Sequence, residues 1–371
     1  MADLRPHLNS DRLAALRGLL DRERAPGIEA VLITAPSQLR ALCGVRVSAG
    51  ALVLTAHDSV LLLDPRYLAA VTVPGGVTLR PYANARTFAE GIREVLGNAR
   101  RIGVYAPALS LAAMNELNPR GELEFVPIDA VLDDLHSLLN QAETESLQQA
   151  EALTRRAIAA TFAALRPGIS ERQLERVLLD KLAEGGEGPA FPPIVAFGEQ
   201  TALPHAHPGD TIWHPGDLVT IDAGAVVDGL HADLTDTRLV GGTQEDTQAH
   251  ALLNLTHQAL EAAIRATRAG VSAGEIDEAA RAVFRAAGLD AQTLLGIGHA
   301  LGYQVHQAPI LRAHSRDEVQ VGQVLALEPG VYLPGFGGVR LEEMVVVTEA
   351  GAVPIAGWRS PATVAGQEAR S

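Results

Sequence analysis

The sequence predicts an α+β protein of two domains, the second built from two related halves that face each other across a pseudo-twofold axis. Three observations carry this. Strand-like and helix-like segments alternate through the first third, a long periodic helix begins near residue 141, and several later segments recur in the same order about a hundred positions on. With 371 residues and 47% hydrophobic content, the chain has apolar material for more than one core.

In the first third, Ser10 can cap a helix running through Leu13, Leu16 and Leu20, and Pro26-Gly27 ends it before an apolar strand at 30–33. Segments 51–55 and 60–63 read as paired strands around His57-Asp58, and Asp64-Pro65-Arg66-Tyr67 opens the next element. This is a compact α/β unit without obvious chemistry, spanning residues 1–135. The helix expected over 141–165 is stopped by Pro167-Gly168 and belongs to the second domain, residues 136–371.

The duplication is legible in motifs. Ala164-Leu165-Arg166-Pro167-Gly168-Ile169-Ser170 is echoed 102 positions later by Ala266-Thr267-Arg268-Ala269-Gly270-Val271-Ser272. Each serine begins a capping box, closed by Gln173 or Glu275. His205-Ala206-His207-Pro208 is matched by His306-Gln307-Ala308-Pro309, segment 216–222 by 322–328, and segment 229–233 by 338–342. Acidic residues fall at equivalent places in both halves.

Geometry gives those places a meaning. Segment 218–240 alternates like two strands, and Asp228-Gly229 signals a two-residue hairpin turn. Pairing across that turn sets residue 224 opposite 233. Residues 222 and 224 share a face, so Asp222 and Asp233 become diagonal neighbours, about 7–8 Å apart at Cα. Glu328 and Glu342 end strand-like runs on either side of the glycine-rich segment 334–338, so a second hairpin can join them. Four carboxylates among Val219, Ile221, Val324, Leu325 and Leu327 would each cost several kcal/mol unless protons or cations neutralise them. Turn capping or surface pairing with arginine would explain any one of these acids, but not the ordered set. A carboxylate-rich group with one imidazole, His299, suits Mn²⁺ or Co²⁺, with Zn²⁺ also compatible.

Charge and composition exclude other classes. The net charge is −14 and no basic cluster stands out, so nucleic acid and anionic membrane surfaces are not expected partners. No signal-peptide-like start and no membrane-length apolar run is seen, and the cytoplasm is the expected location. A single cysteine, Cys43, excludes an internal disulfide and, set among Leu42, Gly44 and Val45, reads as a packing residue.

These residues carry a family resemblance. Ile221-Asp222 through Asp233, Gly298-His299-Ala300-Leu301-Gly302, His306 with Pro309, Glu328-Pro329-Gly330 and Gly337-Gly338-Val339-Arg340-Leu341-Glu342 resemble the motifs of the pita-bread metallopeptidases. That family includes prolidases, aminopeptidases P, methionine aminopeptidases and the metal-free creatinases. The resemblance covers roughly residues 140–357 and includes all five family metal ligands. Asp64-Pro65-Arg66-Tyr67 also resembles the creatinase/prolidase amino-terminal domain, which methionine aminopeptidases lack.

The resemblance implies a pita-bread catalytic domain holding two divalent ions, with Mn²⁺ the first choice and Co²⁺ or Zn²⁺ the alternatives. Asp233 and Glu342 would bridge the ions, Asp222, His299 and Glu328 would complete the shell, and Glu328 would shuttle the proton of the attacking water. His205 and His306 match family histidines that contact the scissile amide. Arg340 would hold a substrate carboxylate or carbonyl, an internal salt bridge being the open alternative. His207, His214 and His231 read as ordinary loop or surface residues. The expected substrate is a proline-containing di- or oligopeptide, cut before proline. A dipeptidase is preferred to an aminopeptidase P, and a homodimer is expected. A creatinase-like, metal-free protein would lack the five ligands present here. Three departures bear on charge balance and metal preference: Asp236 stands where the family has arginine, Ala300 where it has glycine, and Gln307 where glutamate is common.

Overall fold

The apolar run at 30–33 forms a fully buried strand, β1 (Ala30–Ile33), in the computed structural model, which describes residues 12–20, 27–293 and 296–357. Ser10 and Pro26 lie outside the described residues; residues 12–17 are helical. The chain divides into two units after His136.

In the first unit, β1 sits in a six-stranded sheet with β2 (Ala51–Leu54), β3 (Ser59–Leu63), β4 (Thr78–Pro81), β5 (Arg101–Val104) and β6 (Glu124–Pro127), in the order β4-β3-β2-β1-β5-β6. β2 and β3 pair antiparallel across the expected turn. Helices α1 (Pro36–Cys43), α2 (Ala85–Leu96), α3 (Leu111–Leu117) and α4 (Asp129–Ser137) complete the α/β unit. Successive side chains of a strand point to opposite faces. Val31 and Ile33 accordingly join one core with Leu39, Leu42 and Leu63, while Ala30 and Leu32 join another with Leu62, Ile92 and Leu96. Cys43 lies in the first of these cores, and burial pushes its thiol pKa up to about 12, so it packs as an apolar residue.

The second unit opens with α5 (Gln141–Ala163), two residues shorter than expected, and α6 (Glu171–Ala183). Strands β7 (Ile194–Phe197), β8 (Asp217–Ala223), β9 (Val226–Val227), β10 (Leu230–His231) and β11 (Leu234–Val240) follow. The pattern then repeats: helices α7 (Thr247–Ala266) and α8 (Ala273–Ala286) precede β12 (Gly298–Ala300), β13 (Gln307–Leu311), β14 (Val324–Leu327), β15 (Gly330–Leu333), β16 (Gly337–Arg340), β17 (Glu343–Thr348) and β18 (Gly351–Pro354). Both capping boxes form: Ser170 with Gln173 starts α6, and Ser272 with Glu275 starts α8. The sheets run β11-β8-β7 and β13-β12-β14-β17-β18. Leu260, Ile276 and Phe284 from the helices pack with Leu325, Leu327, Val345 and Val347 from the strands in one core. Among the described residues no helix is long and apolar enough to cross a membrane.

The first hairpin has the register that its turn predicts. Asp228 and Gly229 both take positive φ, 51° and 80°, as a two-residue turn of this hand requires. Val227 then faces Leu230, and Asp222 faces Thr235. Between the two ladder segments the strands close tightly at Gly224, where an added Cβ would lie 1.8 Å from the Ala232 carbonyl oxygen. Gly224→Ala must therefore push β8 and β11 apart, and we expect the second unit to lose about 3 kcal/mol or more. The midpoint of urea unfolding checks this; an unchanged midpoint would show that the strands part at little cost.

The second hairpin is two pairings in one register. Leu327 faces Glu343 in the β14–β17 ladder and Gly330 faces Arg340 in the β15–β16 ladder, so Glu328 and Glu342 stand opposite each other where the ladders meet. The hairpins are joined edge to edge: the Glu342 amide donates to the Thr235 carbonyl at 3.0 Å, and the Thr237 hydroxyl donates to the Arg340 carbonyl at 2.8 Å.

Candidate metal centre

A cavity of about 440 Å³ in the second unit is lined by Asp222, Asp233, His299, Glu328 and Arg340 at its polar part. The first hairpin delivers both of its acids to it and the second delivers Glu328. Ligand-type atoms of Asp222, Asp233 and Glu342 lie within 4.8 Å of one another, as do those of Asp233, His299 and His306. The His299 Nε2 is 3.6 Å from Asp233 Oδ2 and 3.5 Å from Glu328 Oε1. All five expected ligands are thus brought together.

The cluster is poorly neutralised by the protein itself. Four carboxylates meet one guanidinium, Arg340, whose Nη2 lies 2.5 Å from Asp222 Oδ2 and whose Nε lies 3.9 Å from Glu328 Oε2. Burial, then the charges of Glu342, Asp222 and Glu328, hold the Asp233 carboxyl well above the usual carboxylate range. Glu342 is raised in the same way, by burial first and by Glu328 and Asp222 after it, and burial lifts Glu328 to about 7. Asp222 Oδ1 and Glu342 Oε1 are buried without a hydrogen-bond partner. Orphaned buried carboxylate oxygens in a cluster of one sign are what a bound cation resolves.

His299 is prepared for the same purpose. Burial, then the neighbouring His306, lowers its pKa to about 4, so the ring is neutral. Its Nδ1 is 3.1 Å from the Ala300 carbonyl, which only accepts, so Nδ1 carries the proton and Nε2 turns a lone pair on two carboxylates. That arrangement is repulsive unless a positive ion sits between them. The donor set, all oxygen apart from one imidazole nitrogen, fits divalent metal.

The surrounding residues hold these side chains in place. Arg340 lines the cavity and makes internal contacts as well. Its donors go to Asp222, to the Tyr332 hydroxyl at 2.9 Å, to the Pro204 carbonyl at 3.1 Å and to the Thr235 hydroxyl at 3.1 Å. Thr235 in turn donates to Glu342 Oε2 at 2.8 Å. His306 is exposed, its ring edge-on to His299 with centroids 4.4 Å apart; partial desolvation and then the neighbouring His205 lower its pKa. His205 lines the same cavity from the loop after β7. Glu171, at the first turn of α6, anchors that loop by accepting from the Phe197 and Gly209 amides, each at 2.9 Å. Its place beside the Ser170 cap was the only signal in the sequence.

Of the three histidines read as ordinary loop or surface residues, His207 is an exposed loop residue. His207 lines the cavity beside His205, and His231 places both its amide, at 2.8 Å, and its ring Nδ1, at 3.3 Å, on the Gly302 carbonyl. His214 is exposed, 3.8 Å from Asp217. The three unusual positions are absent from the cavity lining. Asp236 pairs with Arg238 at 2.6 Å. Gln307 is buried and its amide atoms have no hydrogen-bond partner, for which the structure offers no physical account.

Comparison with known proteins agrees in both units. Residues 145–349 match the model of metallopeptidase family M24, and residues 12–136 match the creatinase/prolidase N-terminal domain. The Xaa-Pro dipeptidase of Pyrococcus furiosus is 28% identical over 344 residues, covering 92% of this chain and 96% of that one. The putative dipeptidase YkvY of Bacillus subtilis is 33% identical over 259 residues, 68% of this chain and 70% of its own. A solved Xaa-Pro dipeptidase from Bacillus anthracis superposes with a TM-score of 0.86 at 25% identity, covering 95% of this chain and 98% of that one.

Proposed function

The chain belongs to metallopeptidase family M24, with the pita-bread fold and divalent-metal chemistry of that family, and from this premise we propose that it is a Xaa-Pro dipeptidase working with two ions. The observation that carries the proposal is the meeting of two acid-bearing hairpins around His299. Asp222, Asp233, His299, Glu328 and Glu342 would hold the ions, with Asp233 and Glu342, the acids raised furthest by burial and then by their neighbours, as the expected shared ligands. Manganese is the expected metal, since hard carboxylate oxygens dominate the donor set. Bound there, the ions supply Lewis acidity and make water nucleophilic near neutral pH.

The chain's own groups do the rest. Glu328 takes the proton of the attacking water and returns it to the leaving proline nitrogen. His306 and His205 face the scissile amide and donate to the oxygen on which negative charge develops. Arg340, braced by Tyr332, holds Asp222 in its ligating pose. Phe191, Pro192, Ile194, Val305 and Ile310 give the cavity an apolar wall suited to a pyrrolidine ring and to excluding water. In this reading the protein works in the cytoplasm, which the lone Cys43 supports, and as a homodimer, which gel filtration tests.

Protein stripped with chelator is expected to be inactive and to regain hydrolysis of a Xaa-Pro dipeptide when Mn²⁺ is restored. A Xaa-Pro-Xaa tripeptide run beside it decides the substrate class. Cleavage of the tripeptide alone would make the protein an aminopeptidase P, and activity untouched by the chelator would remove the metal mechanism.

A further inference from the structure

We propose that Tyr303 is a positioning residue for the proteolytic reaction, tying the loop that ends in His306 to the N-terminus of α5. The inference rests on the functional reading above and adds a residue to it. Residues 301–306 link β12, which carries His299, to β13, which follows His306 directly. Tyr303 is buried, and its hydroxyl donates to Glu143 Oε1 at 2.9 Å.

Glu143 is a rigid acceptor. It is itself buried, its Oε2 accepts from the Asn140 amide at 2.9 Å, and its own amide donates to Asn140 Oδ1 at 3.0 Å. This capping box fixes the carboxylate at the positive end of a 23-residue helix. A buried phenol donating to an acceptor held in place by its own cap fixes the loop against the helix end, and an unmade bond there would leave a buried polar group without its partner. A second tether acts one residue earlier, where the His231 amide and ring hold the Gly302 carbonyl. Both tethers start in the first half of the duplicated unit and end beside the histidines of the second.

Two groups depend on where this loop sits. One is the His306 ring, 4.4 Å from the His299 ring between centroids. The other is Val305, which lines the cavity beside His306. Tyr303 is absent from the cavity lining, so it reaches the reaction only through these neighbours.

Tyr303→Phe keeps the ring and removes the hydroxyl. With Mn²⁺ in excess, kcat on a Xaa-Pro dipeptide is expected to fall about tenfold, with KM within about twofold of the parent. Metal content stays at the parent's level, and amide hydrogen exchange across 301–306 quickens about tenfold. Glu143→Gln keeps the cap's shape, and the double variant is expected to be no slower than Tyr303→Phe alone. Unchanged kcat, unchanged exchange in the loop, additive losses in the double variant, or a lower kcat that tracks metal loss would each overturn the assignment. Should the parent cleave no Xaa-Pro peptide, the dipeptidase reading fails, while the exchange measurement still decides the tether.

Discussion

Asp233→Asn is expected to abolish peptide hydrolysis, lowering kcat by about 10⁴-fold or more, and to strip metal from the protein. Asp233 belongs to both groups of converging ligand atoms, the one with Asp222 and Glu342 and the one with His299 and His306. Asparagine preserves size and shape, so the substitution isolates charge. It also inverts a stability effect. Without metal, the Asp233 carboxyl is held well above the usual carboxylate range by burial and by three neighbouring acids, so its ionised form opposes folding at neutral pH. The metal-free variant should therefore melt above the metal-free parent, and added Mn²⁺ should raise its melting temperature less than it raises the parent's. Metal analysis with paired melting curves checks both statements, and a variant that keeps parental turnover with two ions bound would refute the bridging role.

His306→Ala is expected to keep its metal and lose about 10²- to 10³-fold in kcat, the cost of removing one donor to a developing oxyanion. His306 lines the cavity and is exposed, and its lowered pKa favours the neutral ring. Its ring nitrogen also lies within 4.8 Å of the ligand atoms of Asp233 and His299. Metal content therefore discriminates between two roles. Loss of an ion on His306→Ala would make the residue a ligand, whereas full occupancy with slow turnover leaves it acting on substrate.

What the sequence made legible was local. Asp228-Gly229 permits a two-residue turn, a turn sets a register, and the register puts Asp222 and Asp233 on one face. The capping serines 170 and 272 announced the helix starts of a repeated unit for the same reason. Groups that act across the fold were not legible. Tyr303 and Glu143 lie 160 positions apart, and neither has a motif around it that points to the other. His207 reads as a loop residue, and its place on the cavity comes only from the Glu171 anchor that folds its segment over it. The packing of Arg340 against Asp222 and Tyr332 likewise crosses the fold, and no local pattern gives it.

The edge-to-edge bond between Thr235 and Glu342 has an implication for how the protein matures. Each hairpin brings two acids and neither makes a complete socket, so an ion can be trapped only after segments more than a hundred residues apart in the chain have met. Thr235 and Glu342 are separated by 107 positions. Metal is then a late clasp, closing on a nearly finished scaffold and locking together two halves whose like charges otherwise press them apart.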